Sequence, residues 1–335
     1  MLMPATLHHR PKNFSDLAQL TRELAEAGHT WHFLAGGTDL IPNLKQGNFG
    51  SERPVSIVSL NNISELSGIE FFDGMIEIGA TTKLSEIGQS SEVREHLPAL
   101  ATTVNLVGTG QIRNMASLGG NIMVDSRCRY YNQPCHVQES NGICFKSGGG
   151  RCHVFPMTKV TDPLLCRARF VSDSVPVLLL LNSEVVISNG IIDRTIELSE
   201  LFREDGLIPH KLGASEFIRS VRVSAAGHDQ IIYEKLRIRQ AIDFPSLGIA
   251  GQIIHGGSMD RLRFSVTGVG MIPSLIELEM PAQAEIEDKS TAVAYEIKKV
   301  AKPLEQDFFS TGYRRTMIFV MVRKIIRQLQ PLVMA

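Results

Sequence analysis

All five cysteines of this chain of 335 residues fall in one short segment, from Cys128 to Cys166. Such confinement favours a shared role for the thiols over five unrelated buried or surface side chains. Disulfide-stabilised secreted domains have more cysteines for their length, so zinc or an iron–sulfur cluster in a reducing compartment is the expected role. The segment, about residues 122–172, interrupts a pattern of helices and strands that resumes at Asp173. We therefore predict a thiol-rich insert within an α/β domain.

The overall composition is that of a globular protein with no excess of either charge. Hydrophobic residues make up 43% and charged residues 21%, and 34 Lys and Arg against 35 Asp and Glu leave a formal charge of −1. This balance excludes an intrinsically disordered chain and a protein that coats nucleic acid. The longest apolar run, around Val177 to Leu181, is far shorter than the ~20 residues of a membrane span, and the amino terminus lacks a signal-peptide pattern. We expect a cytoplasmic protein with no nucleic-acid or membrane partner.

Hydrophobic periodicity divides the chain into three units. In the first, about residues 1–60, Ser15 is the predicted cap of a helix that has Leu17, Leu20 and Leu24 on one apolar face and ends at Gly28. Short β-prone runs follow, the first from Trp31 to Leu34. The second unit, about residues 61–216, contains further helices and strands together with the insert. From residue 217 to residue 335 the pattern changes to longer alternating strands, beginning with Phe217 to Val223, and then to helices near Thr291 to Ala301 and Tyr313 to Leu329. The predicted fold class is α+β, with two α/β subdomains and a C-terminal α+β domain.

Two glycine pairs, Gly36-Gly37 and Gly119-Gly120, lie in the first two units beside small polar residues. Backbone without a side chain can approach a diphosphate closely, and consecutive N–H groups in a turn form an anion-binding nest. Asp39 has the wrong charge to face a phosphate, so backbone N–H groups and a threonine hydroxyl would make such contacts. A glycine pair alone is more often a tight turn, and neither pair belongs to a GxGxxG fingerprint or a P-loop.

Three segments together are more specific than either glycine pair. Ala35-Gly36-Gly37-Thr38-Asp39, the run from Gln111 to Asn121, and Tyr313-Arg314-Arg315-Thr316-Met317 resemble the FAD-binding subunits of the molybdenum hydroxylases, the xanthine and CO dehydrogenase family. The resemblance covers essentially the whole chain outside the insert. It implies a PCMH-type FAD-binding domain over residues 1–216, and a C-terminal domain like that of CO dehydrogenase flavoproteins over residues 217–335.

The same resemblance implies which residues contact FAD, and it implies no catalytic residue in this chain. An aspartate after the second glycine loop matches Asp173, and a lysine near the flavin of some relatives matches Lys235. The alternative role of Asp173 is a helix cap, and that of Lys235 is a solvated charge on a strand. The implied contacts are Leu34, Ala35, Gly36, Gly37, Thr38, Asp39, Ala116, Ser117, Gly120, Asn121, Asp173 and Lys235.

The insert has an open cysteine spacing and a local excess of positive charge. No CxxC knuckle, which is typical of zinc sites, occurs in it, although loose spacing fixes no metal by itself. Residues 126–171 contain seven Lys or Arg against two acidic residues, a net charge of +5. Nearby cations stabilise thiolates and an anionic four-thiolate cluster. The alternatives are a solvated basic loop and unrelated thiols.

The insert also resembles one carried by the flavin subunits of 4-hydroxybenzoyl-CoA reductases. The matching pieces include Arg127-Cys128, Asn141-Gly142-Ile143-Cys144 and Arg151-Cys152-His153-Val154. This resemblance implies a [4Fe–4S] cluster beside FAD, with Cys128, Cys144, Cys152 and Cys166 as its ligands. The interval from Cys152 to Cys166 is longer than in the reductases, and Cys135 competes for the fourth position. His136 and His153, which adjoin cysteines, are expected to be surface residues.

These resemblances imply an electron-transfer subunit of a molybdenum-containing oxidoreductase. Substrate chemistry, the reductive dehydroxylation of 4-hydroxybenzoyl-CoA, would then take place on a molybdopterin-containing large subunit. A small subunit with two [2Fe–2S] clusters, ferredoxin as electron donor, and a dimer of heterotrimers are implied as well. One alternative is the flavin subunit of a related hydroxylase or dehydrogenase that passes electrons to NAD or another acceptor. The other is a zinc-stabilised binding or assembly module without flavin.

Overall fold

The computed structural model describes residues 3–48, 54–155, 165–225 and 230–330. Its strands are β1 (Thr6–His9), β2 (Trp31–Leu34), β3 (Val55–Ser59), β4 (Ile69–Phe72), β5 (Met75–Gly79), β6 (Glu184–Ser188), β7 (Asp193–Glu197), β8 (Phe217–Ser224), β9 (Ile231–Leu236), β10 (Leu247–Gly256), β11 (Met259–Thr267) and β12 (Ser274–Pro281). Its α-helices are α1 (Phe14–Glu26), α2 (Leu40–Gln46), α3 (Leu84–Gln89), α4 (Ser91–His96), α5 (Pro98–Val104), α6 (Gly110–Arg113), α7 (Leu118–Ile122), α8 (Cys135–Asn141), α9 (Ser174–Leu180), α10 (Ile286–Val300) and α11 (Thr311–Leu329).

The N-terminal unit is a parallel sheet in the order β1-β3-β2, with α1 packed against it. Leu17 and Leu24 of α1 are buried, which agrees with the predicted apolar face. The predicted cap was wrong: α1 begins before Ser15, and the Asn13 side chain accepts a hydrogen bond from the backbone N–H of Asp16 at 2.8 Å. Asn13 has the extended backbone that a capping residue needs, whereas Ser15 is already helical.

The central sheet is antiparallel, in the order β4-β5-β8-β6-β7. Its strand β8, which the sequence pattern groups with the C-terminal unit, pairs with both β5 and β6. The alternation of apolar and polar residues in β8 shows only that the segment is a strand. It does not show which strands pair with β8, because those partners are distant in sequence. The apolar helix α9 is buried along its whole length and contacts β10 and β11 of the next sheet.

The C-terminal sheet is antiparallel in the order β12-β11-β10-β9, and α10 and α11 pack with it. Ile249 and Phe264 of the sheet share a core with Val322 and Ile325 of α11. The mixed α and β architecture agrees with the predicted fold class. Among the residues that the structure describes, no helix combines the length and apolar character needed to cross a membrane.

The thiol-rich insert leaves the central unit after α7 and returns at α9. Within its described residues, α8 is followed by a short 3-10 turn at Phe145–Ser147. The return point is close to the departure point, because Asn121 Oδ1 accepts hydrogen bonds from the hydroxyls of Ser172 (2.8 Å) and Ser174 (2.7 Å). Lys159, one of the cations counted in the predicted basic loop, lies outside the described residues.

Candidate cofactor-binding site

A cavity of about 540 Å³ opens between the two glycine loops. Its wall brings together residues that are far apart in the chain. Lys235 is not part of the wall, but it forms an ion pair with Asp173, which is. Of the residues predicted to contact FAD, those in the wall are Leu34, Ala35, Gly36, Gly37, Thr38, Asp39, Ala116, Ser117, Gly120, Asn121 and Asp173.

The first glycine loop packs directly on the backbone of the second. A Cβ atom added to Gly36 would collide with the carbonyl oxygen of Met115 and lie 2.8 Å from Cα of Ala116. Gly37 has φ +70°, a left-handed conformation that side chains rarely adopt. The glycine pair therefore allows both a tight turn and a close approach of the two loops.

The second glycine loop begins helix α7. Ser117 caps this helix, since its hydroxyl accepts a hydrogen bond from the N–H of Gly120 at 3.2 Å. A Cβ on Gly119 would lie 2.8 Å from Cβ of Ala80, so this glycine allows α7 to pack on the central unit. The nearest atom to a Cβ on Gly120 would be Ser117 Oγ at 3.0 Å, and Gly120 itself lines the cavity.

Asp173 forms a buried ion pair at the cavity wall. Its carboxylate, in a residue only 2% exposed, accepts hydrogen bonds from Lys235 Nζ and the Tyr233 hydroxyl, both at 2.8 Å. Burial raises the pKa of Asp173 and lowers the pKa of Lys235, while the ion pair opposes both shifts. Asp173 precedes α9 but its side chain makes no capping hydrogen bond, and Lys235 is buried. Asp173 therefore does not act as a helix cap, and Lys235 is not a solvated charge on a strand.

No motif in the sequence identifies two further residues of this region, Tyr233 and His210. Tyr233 lies two positions before Lys235 on β9, so both side chains reach the same face and the same carboxylate. His210 lines the cavity with its Nε2 3.2 Å from the carbonyl oxygen of Ile122. Burial lowers the pKa of His210 to about 4, so the imidazole is neutral at neutral pH.

The cavity wall retains capacity for a polar ligand. Among the described residues, Arg127 Nε and Asp125 Oδ2 are buried and have no hydrogen-bond partner. Both residues line the cavity, and they belong to the first residues of the insert. Bare glycine backbone together with an unpartnered guanidinium nitrogen suits a ligand with phosphate groups, such as FAD.

The predicted cluster ligands are neighbours in the insert. Cys128, Cys144 and Cys166 are buried and share a small apolar cluster with Tyr131. Burial raises the pKa of Cys128 to about 11, and the nearby Cys144 and Cys152 add to this shift. Burial likewise raises the pKa of Cys166 to about 12, with a contribution from Cys128 and Cys152. Each of the four thiols therefore lies close enough to Cys128 or Cys166 for their charges to interact.

Cys135 lies apart from these four thiols. It is exposed at the start of α8, where its thiol donates a hydrogen bond to Glu139 at 3.3 Å. His153 stacks on Tyr130, with ring centroids 5.1 Å apart. In the part of the chain that the structure describes, no group of three or more His, Cys, Asp or Glu side chains is arranged to hold a metal ion.

Three cations of the insert are paired rather than solvated. Arg127 pairs with Asp39 and Arg169 with Asp307, and both carboxylates come from distant parts of the chain. Lys146 Nζ lies 2.5 Å from a carboxylate oxygen of Asp125 and also donates to the carbonyl oxygen of Gly206 at 2.8 Å. The interpretation of the insert as a solvated basic loop is wrong for these three residues. Each of them pairs with an acidic residue outside residues 126–171.

A family model described as the FAD binding domain in molybdopterin dehydrogenase matches residues 5–225. The chain belongs to this family. The chain is 28% identical over 287 residues to the aldehyde oxidoreductase FAD-binding subunit PaoB of Escherichia coli K12, covering 83% of this chain and 86% of the relative. It is 35% identical over 116 residues to a xanthine dehydrogenase FAD-binding subunit of Escherichia coli O157:H7, covering 34% of this chain and 37% of the relative.

Similarity to a solved structure extends over the whole fold. A chain of carbon monoxide dehydrogenase from Hydrogenophaga pseudoflava superposes with a TM-score of 0.75 over 98% of both chains, at 21% identity. This likeness confirms the predicted fold class, and family membership confirms FAD as the cofactor and an oxidoreductase subunit as the class of protein. The module without flavin is thereby disfavoured.

Proposed function

We propose that this chain is the FAD- and [4Fe–4S]-carrying electron-transfer subunit of a cytoplasmic molybdenum-containing reductase, which converts 4-hydroxybenzoyl-CoA to benzoyl-CoA. The observation that carries the proposal is the position of the insert. Asp125 and Arg127 form part of the cavity wall, and Cys128 follows directly. A cluster bound by this cysteine would lie against the FAD site.

The arrangement of the thiols supports Cys128, Cys144, Cys152 and Cys166 as the ligands. In a [4Fe–4S] cube each cysteine binds a different iron, so its four sulfurs are more widely separated than the ligands of a single zinc ion. Charge on Cys144 and Cys152 raises the pKa of Cys128, and charge on Cys128 and Cys152 raises that of Cys166, so these thiols are neighbours, as a shared ligand role requires. The exposed Cys135 is outside this set.

Two buried cations support an anionic cluster at this position. Arg169 interacts electrostatically with Cys128, and its buried Nε has no hydrogen-bond partner among the described residues. Lys146 favours the thiolate of Cys166, against the burial that raises the pKa of this thiol. Positive charge beside thiolates stabilises them and any cluster that they bind.

The residues of this chain bind and orient cofactors, and we place the substrate chemistry on other subunits. When bound, FAD supplies exchange between one- and two-electron chemistry, and an iron–sulfur cluster passes single electrons. Relatives named as FAD-binding subunits and medium chains indicate a chain of a larger enzyme. We propose a molybdopterin-containing large subunit, a small subunit with two [2Fe–2S] clusters, and a dimer of heterotrimers.

We propose ferredoxin, a small acidic carrier, as the electron donor. Because Lys146 is buried and paired, the exposed Arg129 and Arg151 of the insert are better candidates for a docking charge. Steering by charge weakens as the Debye length falls from ~10 Å at 0.1 M salt to ~3 Å at 1 M. Reduction by ferredoxin should therefore slow as salt rises, and Arg151→Glu should slow it further without loss of FAD. A small neutral reductant should show neither effect.

The purified complex tests the proposed reaction directly. We expect benzoyl-CoA to form from 4-hydroxybenzoyl-CoA with reduced ferredoxin, and the visible spectrum to show flavin bands with a broad iron–sulfur shoulder. Fast, salt-independent exchange with NADH and none with ferredoxin would favour a related dehydrogenase instead. Flavin bands without the shoulder would contradict the cluster.

A further inference from the structure

Arg127 joins the insert to the segment that follows the first glycine loop. Its guanidinium group pairs with Asp39 and donates to Asn43 Oδ1 at 3.3 Å. The guanidinium carbon also lies 4.4 Å from the ring centroid of Phe244, another residue of the cavity wall. One side chain therefore contacts the glycine-loop region and the far wall of the cavity.

A second set of contacts runs between the same two segments. The backbone N–H of Asp125 donates to Asp39 Oδ2 at 3.3 Å, and Asn132 Nδ2 donates to Asn43 Oδ1 at 3.4 Å. Asn132 Oδ1 in turn accepts the backbone N–H of Cys128 at 3.0 Å. The backbone of the first cluster cysteine is thus tied to α2.

The ion pair at the centre of these contacts is largely shielded from water. The side chains of Arg127 and Asp39 are 15% and 22% exposed. Pairs of this kind are screened less than surface pairs, and removing one partner leaves the other charge poorly compensated. Movement of the Asp39 segment would therefore change the environment of Arg127 and of the residue that follows it.

We propose that the Arg127–Asp39 pair couples FAD binding to the ordering of the cysteine insert, with Arg127 as a positioning residue. FAD in the cavity fixes the glycine loop and α2, which hold Arg127 and, one residue later, Cys128. Because coupling between sites is reciprocal, an ordered cysteine site also favours FAD binding. The inference rests on the proposed FAD contacts and on no particular metal.

Thiol alkylation of the metal-free, full-length protein tests the coupling. We measure the rate of iodoacetamide modification at Cys128 and at the exposed Cys135 by peptide mass spectrometry, with and without saturating FAD. FAD should slow modification of Cys128 about tenfold, within the range of typical coupling energies, and leave Cys135 unchanged. In Arg127→Met the protection should fall to about twofold or less, whereas the matched Arg129→Met should retain it.

Asp39→Asn breaks the same pair from the other side and replaces Arg127→Met if that variant does not fold. Equal protection of Cys128 in Arg127→Met and Arg129→Met would overturn the inference. A wild-type protein in which FAD does not protect Cys128, or protects Cys135 as strongly, would overturn it as well. Iron analysis of the same wild-type preparation before metal removal is a separate readout. An iron-free protein would contradict the proposed function but leave the coupling to be decided by the alkylation rates.

Discussion

The glycines of the two glycine loops have different stereochemical roles. Gly36 and Gly119 allow close packing of the loop backbones and of α7, and Gly37 has a left-handed conformation. Substitution at these three positions would disturb folding as well as cofactor binding. Gly120 differs, because it lines the cavity and the nearest neighbour of a Cβ there would be the Ser117 hydroxyl oxygen rather than a backbone atom.

Gly120→Val should therefore weaken FAD binding without unfolding the chain. A β-branched side chain would enter the space that the proposed backbone contact with FAD requires. We expect the dissociation constant for FAD to rise about tenfold or more, which corresponds to about 1.4 kcal/mol. Flavin fluorescence titration measures it. Gly110→Val, at a glycine outside the cavity wall with open space around its Cβ position, is the matched control. Unchanged FAD affinity in folded Gly120→Val would remove this loop from the site.

His210 predicts a pH dependence of stability. Burial lowers its pKa from 6.5 to about 4, so between these values the unfolded chain binds a proton that the folded chain does not. The free energy of unfolding should consequently fall as pH drops through this window, by up to about 3 kcal/mol from this residue. Urea unfolding at several pH values measures the slope. His210→Gln should flatten it and the exposed His136→Gln should not, so equal slopes in both variants would contradict the assignment.

At the scale of elements, local pattern predicted which segments become strands and helices better than how they pair. The run from Trp31 to Leu34 is β2, as predicted, because its apolar residues are bounded by turn residues. Helix α10 begins at Ile286, earlier than the predicted Thr291, because Glu287 and Asp288 give its first turn no apolar pattern. The place of β8 in the central sheet depends on contacts that are distant in sequence.

The same distinction applies to the candidate site. The glycine loops, Asp173 and Lys235 could be named from local motifs and a resemblance to a family. Tyr233 and the pairing of Arg127 with Asp39 could not, because the partners Asp173 and Asp39 are 60 and 88 positions away. Long-range pairs of this kind become visible only when the folded chain brings the segments together.

The position of the insert predicts that substitution of its cysteine ligands removes the metal but not the flavin. Cys144→Ser and Cys152→Ser should lose iron and still bind FAD, because the cavity wall includes neither residue and the insert is looped out between Asn121 and Asp173. The proposed coupling lowers their affinity for FAD but does not abolish binding. Cys135→Ser, which changes an exposed thiol in the same insert, should keep both. Iron and flavin analysis of purified variants checks this. Loss of iron in Cys135→Ser with retention in Cys166→Ser would contradict the chosen ligand set.

At the scale of the whole molecule, the insert is anchored to parts of the chain on either side of it. Arg127 reaches Asp39 of the N-terminal unit, and Arg169 reaches Asp307 near the start of α11. Lys146 bonds to the carbonyl oxygen of Gly206, beyond the central strands β6 and β7. A segment held in this way can keep a cluster at a fixed position relative to FAD, which electron transfer between them requires.

The metal and flavin content of the full-length protein, isolated without oxygen, tests this arrangement most directly. We predict one FAD and about four irons per chain, with negligible zinc, because the four thiolates of the proposed ligand set would bind one [4Fe–4S] cluster. The measurement needs no substrate or partner subunit, so it separates the cofactor content of the chain from the identity of the complex. Stoichiometric zinc with negligible iron, in protein that retains FAD, would contradict the cluster assignment.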